Sequence, residues 1–211
     1  MRISELSERA GVSPASIKYY TREGLLPGGE RTGYNQTEYD EGHVARLRLI
    51  RILIDAGGLS VSAAQRVLAA IDDEDLQLPS VFEAAQHAIP QREAPASAAA
   101  RARVAALIEQ RGWMVHGDNP GIELAGGILD AYTAIDRDDL AAVLPQYAEA
   151  ADIVAAADLD ALDASGSREA MAETVVVGTV LGDSLLAGLR RIAQQHQTYQ
   201  RYIAPRSEQQ S

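Results

Sequence analysis

The sequence predicts an all-α protein with one small β-wing: a winged helix-turn-helix domain at the N-terminus, then a helical C-terminal domain. Three observations predict it. Two short helical segments joined by a glycine turn fill the first 27 residues, and a Gly, Thr, Asn and Gln-rich stretch follows them. From residue 40 onward, apolar residues recur three and four apart. No strand-like alternation is found beyond the wing.

Each element follows from its residues. Ser4 is placed to cap a first helix that carries Leu6 and Ala10 on its apolar side, and Gly11 permits the turn that ends it. Ser13 caps the second helix, with Pro14 at the first helical position, where its missing N–H costs nothing. Gly24 closes that helix. Residues 28–39 read as an exposed loop or small β-wing. Asp40 caps a helix to about Asp55, with Val44, Leu47, Ile50 and Ile54 on one stripe, and Gly57-Gly58 stops it. Ser60 caps the next, with Ala64, Val67, Leu68 and Ile71 inward. The acidic run 72–75 marks a boundary.

Prolines 79, 90 and 95 exclude one uninterrupted helix over residues 76–100. A short helix is expected from Ser80 to Ala88, and another from about Ala96 to Gly112. Further segments are expected at 121–135, at 137–156 with a kink at Pro145, and at 167–201, with Asp158 to Gly166 as a connection. The domains are then 1–75, a winged helix-turn-helix; 76–112, linker and connector or dimerisation helices; 113–205, an all-helical effector-binding or dimerisation domain; and 206–211, a disordered tail.

The chain has 211 residues, enough for one large or two small domains. It has no cysteine, which excludes disulfides, thiolate metal sites and cysteine redox switches. No wholly apolar run of about 18 to 20 residues exists, so no membrane span is expected. The first residues lack the apolar core of a secretory signal. A cytoplasmic location is expected, and the Ala- and Arg-rich composition with a single lysine points to a bacterial source. Charge is uneven. Residues 1–72 hold nine cations and nine acids, whereas residues 73–211 hold ten cations and 21 acids, the whole of the net −11. The acidic part should avoid polyanions. The neutral part can bind them only through clustered cations.

Such a cluster exists. On a helical wheel with Ile17 inward, Tyr20, Thr21 and Gly24 share the inward side, and Ala15, Lys18, Tyr19 and Arg22 point outward. Two cations, a phenol and a small residue suit a helix in a DNA major groove. A solvated charged face is the alternative. Arg31 and Tyr34 in the loop can reach the sugar-phosphate backbone or pack locally. Arg46, Arg48 and Arg51 can meet phosphate or merely solvate their helix.

The spaced elements Met1 to Leu6, Gly11-Val12-Ser13, Ile17 to Tyr20, Gly24 to Pro27, Arg31 to Tyr34, Tyr39, Arg46-Leu47, Ile50, and Gly57 to Ser60 resemble the start of MerR-family transcriptional regulators. The resemblance covers residues 1 to about 72. It implies a winged helix-turn-helix, a helical pair and a long dimerising helix. It also implies a homodimer on near-palindromic, double-stranded promoter DNA, where many members realign an overlong promoter spacer, with RNA polymerase as a further partner. Position by position, it assigns Ser16, Lys18 and Tyr19 to the recognition helix, Tyr20 to phosphate, and Arg31 and Tyr34 to the wing. Lys18 stands where arginine is usual, and Asn35 replaces a common arginine. The candidate DNA-contacting set is Ser13, Ala15, Ser16, Lys18, Tyr19, Tyr20, Arg22, Arg31, Tyr34 and Arg46.

The absence of cysteine removes the metal- and oxidant-sensing branches and leaves a small organic effector as the expected signal. The segment 175–191 faintly resembles the last helices of TetR-family ligand domains. Read from its residues, 175–189 is apolar nearly all round, so it is expected to be buried, in a dimer interface or in the core of one subunit. Trp113, Met114, Tyr132 and Tyr147 could line an effector pocket or be ordinary core and surface aromatics. The histidines lack metal-ligand spacing, and Asp136, Asp138 and Asp139 fit a helix start better than a cation loop. No catalytic residue, cofactor or metal is expected, since no nucleophile elbow, phosphate loop or dinucleotide fingerprint occurs. The alternative function is a ligand-sequestering protein with a secondary DNA-binding unit.

Overall fold

The structure, a computed structural model, describes residues 1–33, 36–90, 94–163 and 166–203. Its helices are α1 (Ile3–Ala10), α2 (Pro14–Arg22), α3 (Glu41–Arg51), α4 (Val61–Asp72), α5 (Leu78–Ala88), α6 (Ala98–Arg111), α7 (Pro120–Ala134), α8 (Leu144–Asp163) and α9 (Arg168–Tyr202). Two strands, β1 (Glu30–Gly33) and β2 (Gln36–Glu38), pair antiparallel, with Glu30 opposite Glu38 and Arg31 opposite Thr37. The all-α class with a small wing is what the sequence predicts.

Local chemistry explains most boundaries. Ser13 Oγ accepts from the Ser16 amide at 3.0 Å, and Ser60 Oγ accepts from the Ala63 amide at 3.2 Å. Asp40 and His43 form a reciprocal box at the start of α3. Gly11 ends α1 in the left-handed region, at φ 65°. The wing is tied to the chain start, because the Met1 amine donates to Tyr39 O at 2.7 Å and the Tyr39 amide donates back to Met1 O at 2.9 Å.

Four expectations need correction. Arg2, not Ser4, occupies the cap position of α1, without a side-chain hydrogen bond. Pro145 makes no kink: α8 begins at Leu144, so the proline sits in the first turn, where no amide is needed. The expected connection 158–166 is helical as far as Asp163. The segment 175–189 is buried in its first part only, with Val175, Val176 and Val180 in the core and Leu185, Leu186 and Leu189 exposed.

Packing also ignores the boundary at residue 75. One apolar core runs through α1–α4, takes in Val81, Ala85 and Ala88 of α5, and continues into Ala172, Val175, Val176 and Val180 of α9. α9 is therefore a wall of the N-terminal unit. Arg168 fastens its start, donating to Ile71 O at 3.0 Å and Leu76 O at 2.5 Å, carbonyls at and just past the end of α4. Gly57 permits the closest approach. A Cβ there would lie 2.3 Å from Val180 Cγ1 and 2.7 Å from Leu53 O. This glycine follows a π-helical turn, Ile52–Ala56, that continues α3.

A second, smaller cluster joins α6, α7 and the 3₁₀ turn Asp138–Val143 through Ala96, Ala100, Val104, Leu129 and Ala141. Carboxylates of α7 hold the start of α6: Glu123 accepts from the Ala96 amide at 2.7 Å, and Asp130 accepts from the Ser97 amide at 2.6 Å. The hydrogen bond from the Ala96 amide, with Arg101 beside it, keeps the Glu123 carboxyl below its usual range.

Candidate nucleic-acid interface and ligand cleft

α2 presents its outer face to solvent as the wheel requires. Ile17 is fully buried, while Ala15, Lys18, Tyr19 and Arg22 are exposed. Arg22 lies 5.1 Å from the centre of the Tyr19 ring and pairs with Glu23 at 3.0 Å. Its side chain is 71% exposed, so that pair can be exchanged for another anion at little cost. Ser16 is half-buried, its hydroxyl 2.8 Å from that of Ser13, and both belong to the helix start. Tyr20 packs partly on the core, and burial of its ring pushes the phenol above its usual value. Gly24 falls past the end of α2, exposed and at φ 75°, rather than on the inward face. Arg31 is exposed on β1. Tyr34 lies outside the described residues.

Arg46 departs from its assignment. Its Nε donates to Leu25 O at 2.9 Å, and its Nη1 donates to Asp72 Oδ1 at 2.8 Å, with the side chain only 13% exposed. It ties the exit of α2 to the end of α4 and cannot reach phosphate without breaking that clamp. Arg48 and Arg51 behave alike, donating at 3.2 Å to Arg9 O and Gly11 O at the end of α1. Cations at a helix C-terminus satisfy carbonyls left without helical partners.

The four aromatic and methionine candidates do not meet. Trp113 donates to Asp152 Oδ1 at 2.7 Å beside Arg111. The Arg111 and Trp113 donors hold the Asp152 carboxyl below its usual range. Met114 is fully exposed. Tyr132 packs on the small cluster, and the Tyr147 hydroxyl accepts from Arg190 at 2.7 Å.

A cleft of about 500 Å³ opens instead between α5, α7, α8 and α9. Phe82, Leu124, Val154 and Leu159 supply its apolar wall, and Asp158 and Asp183 supply carboxylates. Gly178 and Gly182 keep it open, since a Cβ at either would meet nothing within 4 Å. That volume suits a small organic molecule. Of its lining residues, those of α9 fall in the segment 175–191 marked from the sequence, where Gly178 and Gly182 point to close helix approach rather than to a pocket. The signal was available in the paired glycines of α9, which cost helix propensity unless something needs the space. Among the described residues no group of three or more His, Asp or Glu could hold a metal ion.

Comparison with known proteins agrees with this geometry. The family model described as MerR HTH family regulatory protein matches residues 1–71. The chain is 29% identical over 82 residues to the mercuric resistance operon regulatory protein of Bacillus cereus, covering 39% of this chain and 61% of that one. It is 38% identical over 50 residues to an HTH-type transcriptional regulator, a ZntR homolog, of Haemophilus influenzae, covering 24% and 37%. It thus spans less than two thirds of either relative. A solved structure matches throughout: SCO5550 of Streptomyces coelicolor A3(2), provisionally classed as a transcriptional regulator. It is 36% identical, has a TM-score of 0.71, and covers 96% of this chain and 98% of that one. These relatives are regulators of transcription and not enzymes. Residues 1–71 therefore form a helix-turn-helix domain of the MerR family, in a chain similar over nearly its whole length to SCO5550.

Proposed function

We propose that this regulator binds promoter DNA sequence-specifically as a homodimer and answers to a small organic effector held in the cleft between α5, α7, α8 and α9. The observation that carries the first part is the outer face of α2. Lys18, Tyr19 and Arg22 stand exposed around the small Ala15, next to a wing bearing Arg31. Ser13, Ser16 and Tyr20 support that face. The cations of α3 drop out, because they are spent on helix ends. RNA polymerase at the same promoter is a further partner in this reading.

The cleft supports the second part through its connection. Residues 178–186 of α9 line it, while Val175, Val176 and Val180 of the same helix sit in the core of the DNA-binding unit. A ligand that shifts α9 thereby acts on the wall against which Gly57 and α3 rest.

The test is fluorescence anisotropy of the intergenic DNA beside the protein's own gene, at several salt concentrations. Specific binding predicts a steep fall in affinity with salt and competition by cognate sequence alone. Equal competition by unrelated DNA contradicts it and favours a ligand-sequestering protein. For the cleft, Gly182→Leu fills open space. It is expected to preserve operator affinity and abolish the effect of any effector found by native mass spectrometry of the purified protein.

A further inference from the structure

Two charged residues stand at the unfavourable ends of their helices. Asp72 is the last residue of α4, where the helix dipole favours a cation, and Arg168 is the first of α9, where it favours an acid. Neither placement helps its own helix, so each needs a reason elsewhere in the molecule.

The hydrogen bonds supply that reason. Arg168 Nη1 donates to Ile71 O at 3.0 Å, and its Nη2 donates to Leu76 O at 2.5 Å. Between these two carbonyls the chain turns, and Asp73 Oδ1 accepts from the Asp75 amide at 3.0 Å. The start of α9 therefore grips the whole turn that ends α4. Asp72, at the head of the same turn, accepts from both terminal nitrogens of Arg46, at 2.8 and 2.5 Å. The Nε of that guanidinium donates to Leu25 O at 2.9 Å, in the chain that leaves α2 for the wing. The acidic run 72–75 is thus a joint between helices.

Arg46 suits its place because its planar fork meets a carboxylate and a carbonyl at once, with the side chain 13% exposed. A lysine carries the same charge on one atom and cannot face both. Ile17 anchors the middle of α2 in the core, and Leu25 and Leu26 anchor its exit. Those apolar contacts are non-directional. The bond to Leu25 O is directional: it orients the peptide that leads from Lys18 and Arg22 towards Arg31 on β1.

The far end of this chain of bonds lies in the cleft. Gly178, Thr179, Gly182 and Asp183 of α9 line it, the first of them about 15 Å along the helix from Arg168. A displacement of α9 at the cleft is carried along the helix to Arg168, then to the end of α4, to Arg46 and to the exit of α2.

We propose that Arg168, Asp72 and Arg46 are positioning residues, a relay that sets the DNA-facing side of α2 by the position of α9. This rests on the reading of α2 as the DNA-contacting helix and adds what orients it.

Asp72→Asn and Arg168→Gln, singly and together in the full chain, test the relay by anisotropy on the intergenic DNA and on an unrelated duplex. Asp72→Asn removes a negative charge, so electrostatics alone raises its affinity for any DNA. The relay predicts the opposite sign on the intergenic DNA, a loss of about 10-fold, with the unrelated duplex bound no less tightly. Arg168→Gln keeps the Arg46–Asp72 pair and should also lose about 10-fold on the intergenic DNA alone. Arg168→Lys, which can still reach one carbonyl, should recover part of that loss. The double variant has the wild-type net charge. It should lose no more than the larger single loss, because both changes cut one chain of links.

Circular dichroism establishes that each variant is folded, and Arg168→Gln with Arg168→Lys decides if Asp72→Asn is not. Wild-type affinity in folded Arg168→Gln overturns the relay and leaves α2 as the DNA-contacting helix. Equal losses on both duplexes, or single losses that multiply in the double variant, overturn it as well. Wild-type protein that binds the two duplexes equally overturns the reading of α2 and the relay with it.

Discussion

The two regions of this molecule are held together by different means. Among the described residues, the core shared by α1–α5 and the first half of α9 buries large side chains such as Leu6, Ile17, Leu47, Ile50, Leu53 and Leu68 almost completely. The cluster of α6, α7 and the 3₁₀ turn buries five residues, of which three are alanine. What it lacks in apolar area it takes from surface bonds, including Arg101 to Glu123, Arg103 to Asp138, and Arg111 and Trp113 to Asp152. The difference teaches where rigidity is needed. On the proposed function, α2 must be held in one position to meet DNA, and the dense core holds it. A cleft proposed to admit an effector is better built from helices that can part.

The largest expected contrast is in core truncation. Leu68→Ala should cost about 2–5 kcal/mol, because a buried leucine leaves a cavity. Leu159→Ala, at a residue 52% exposed in the cleft, should stay within about 0.5 kcal/mol. Urea denaturation of both checks it, and equal losses would break the comparison.

A subtler contrast uses one residue type. Gly57→Ala drives a methyl into Val180 and the Leu53 carbonyl and should destabilise by about 1–3 kcal/mol. Gly182→Ala meets open space in mid-helix and should stabilise by up to about 1 kcal/mol. Calorimetry should therefore show shifts of opposite sign.

Acid sharpens the comparison further, with the smallest effect. Glu123, Asp139 and Asp152 all have carboxyls held below the usual range, by the Ala96 amide, Arg137 and Arg111 respectively. A lowered folded value gives stability that is present above the ordinary carboxylate range and lost as pH falls through the folded value. The small cluster should therefore loosen below about pH 4. Trp113, the chain's single tryptophan, donates to Asp152 and reports that loosening by fluorescence. Asp152→Asn should abolish the Asp152-linked part of the change. An unaltered acid transition in that variant would show that this bond does not hold the region.

The legible parts of the fold were those decided locally. Ser13-Pro14, Asp40 and Ser60 announce helix starts because a cap needs only its own neighbours. The outer face of α2 was legible because a wheel needs only one helix. Arg46, Arg48 and Arg51 were not, since charge does not reveal whether a guanidinium meets phosphate or a neighbouring helix end. The cleft was hidden for a similar reason: Phe82, Leu124, Leu159 and Gly182 are brought together only by tertiary packing. Aromatic residues do not mark the cleft: Trp113 and Tyr147 are engaged by polar partners, and glycines border the open space.

The central claim is that DNA recognition resides on the exposed face of α2 and not in the helical remainder. Operator affinity of Lys18→Ala, Arg22→Ala and Leu159→Ala, measured side by side by anisotropy at one salt concentration, tests it most directly. Lys18→Ala should lose about 1–3 kcal/mol of binding, and Lys18→Arg should keep or raise it. Leu159→Ala, in the cleft, should bind as the wild type does. If Lys18→Ala and Arg22→Ala both bind the operator unchanged, the face of α2 is not the recognition surface.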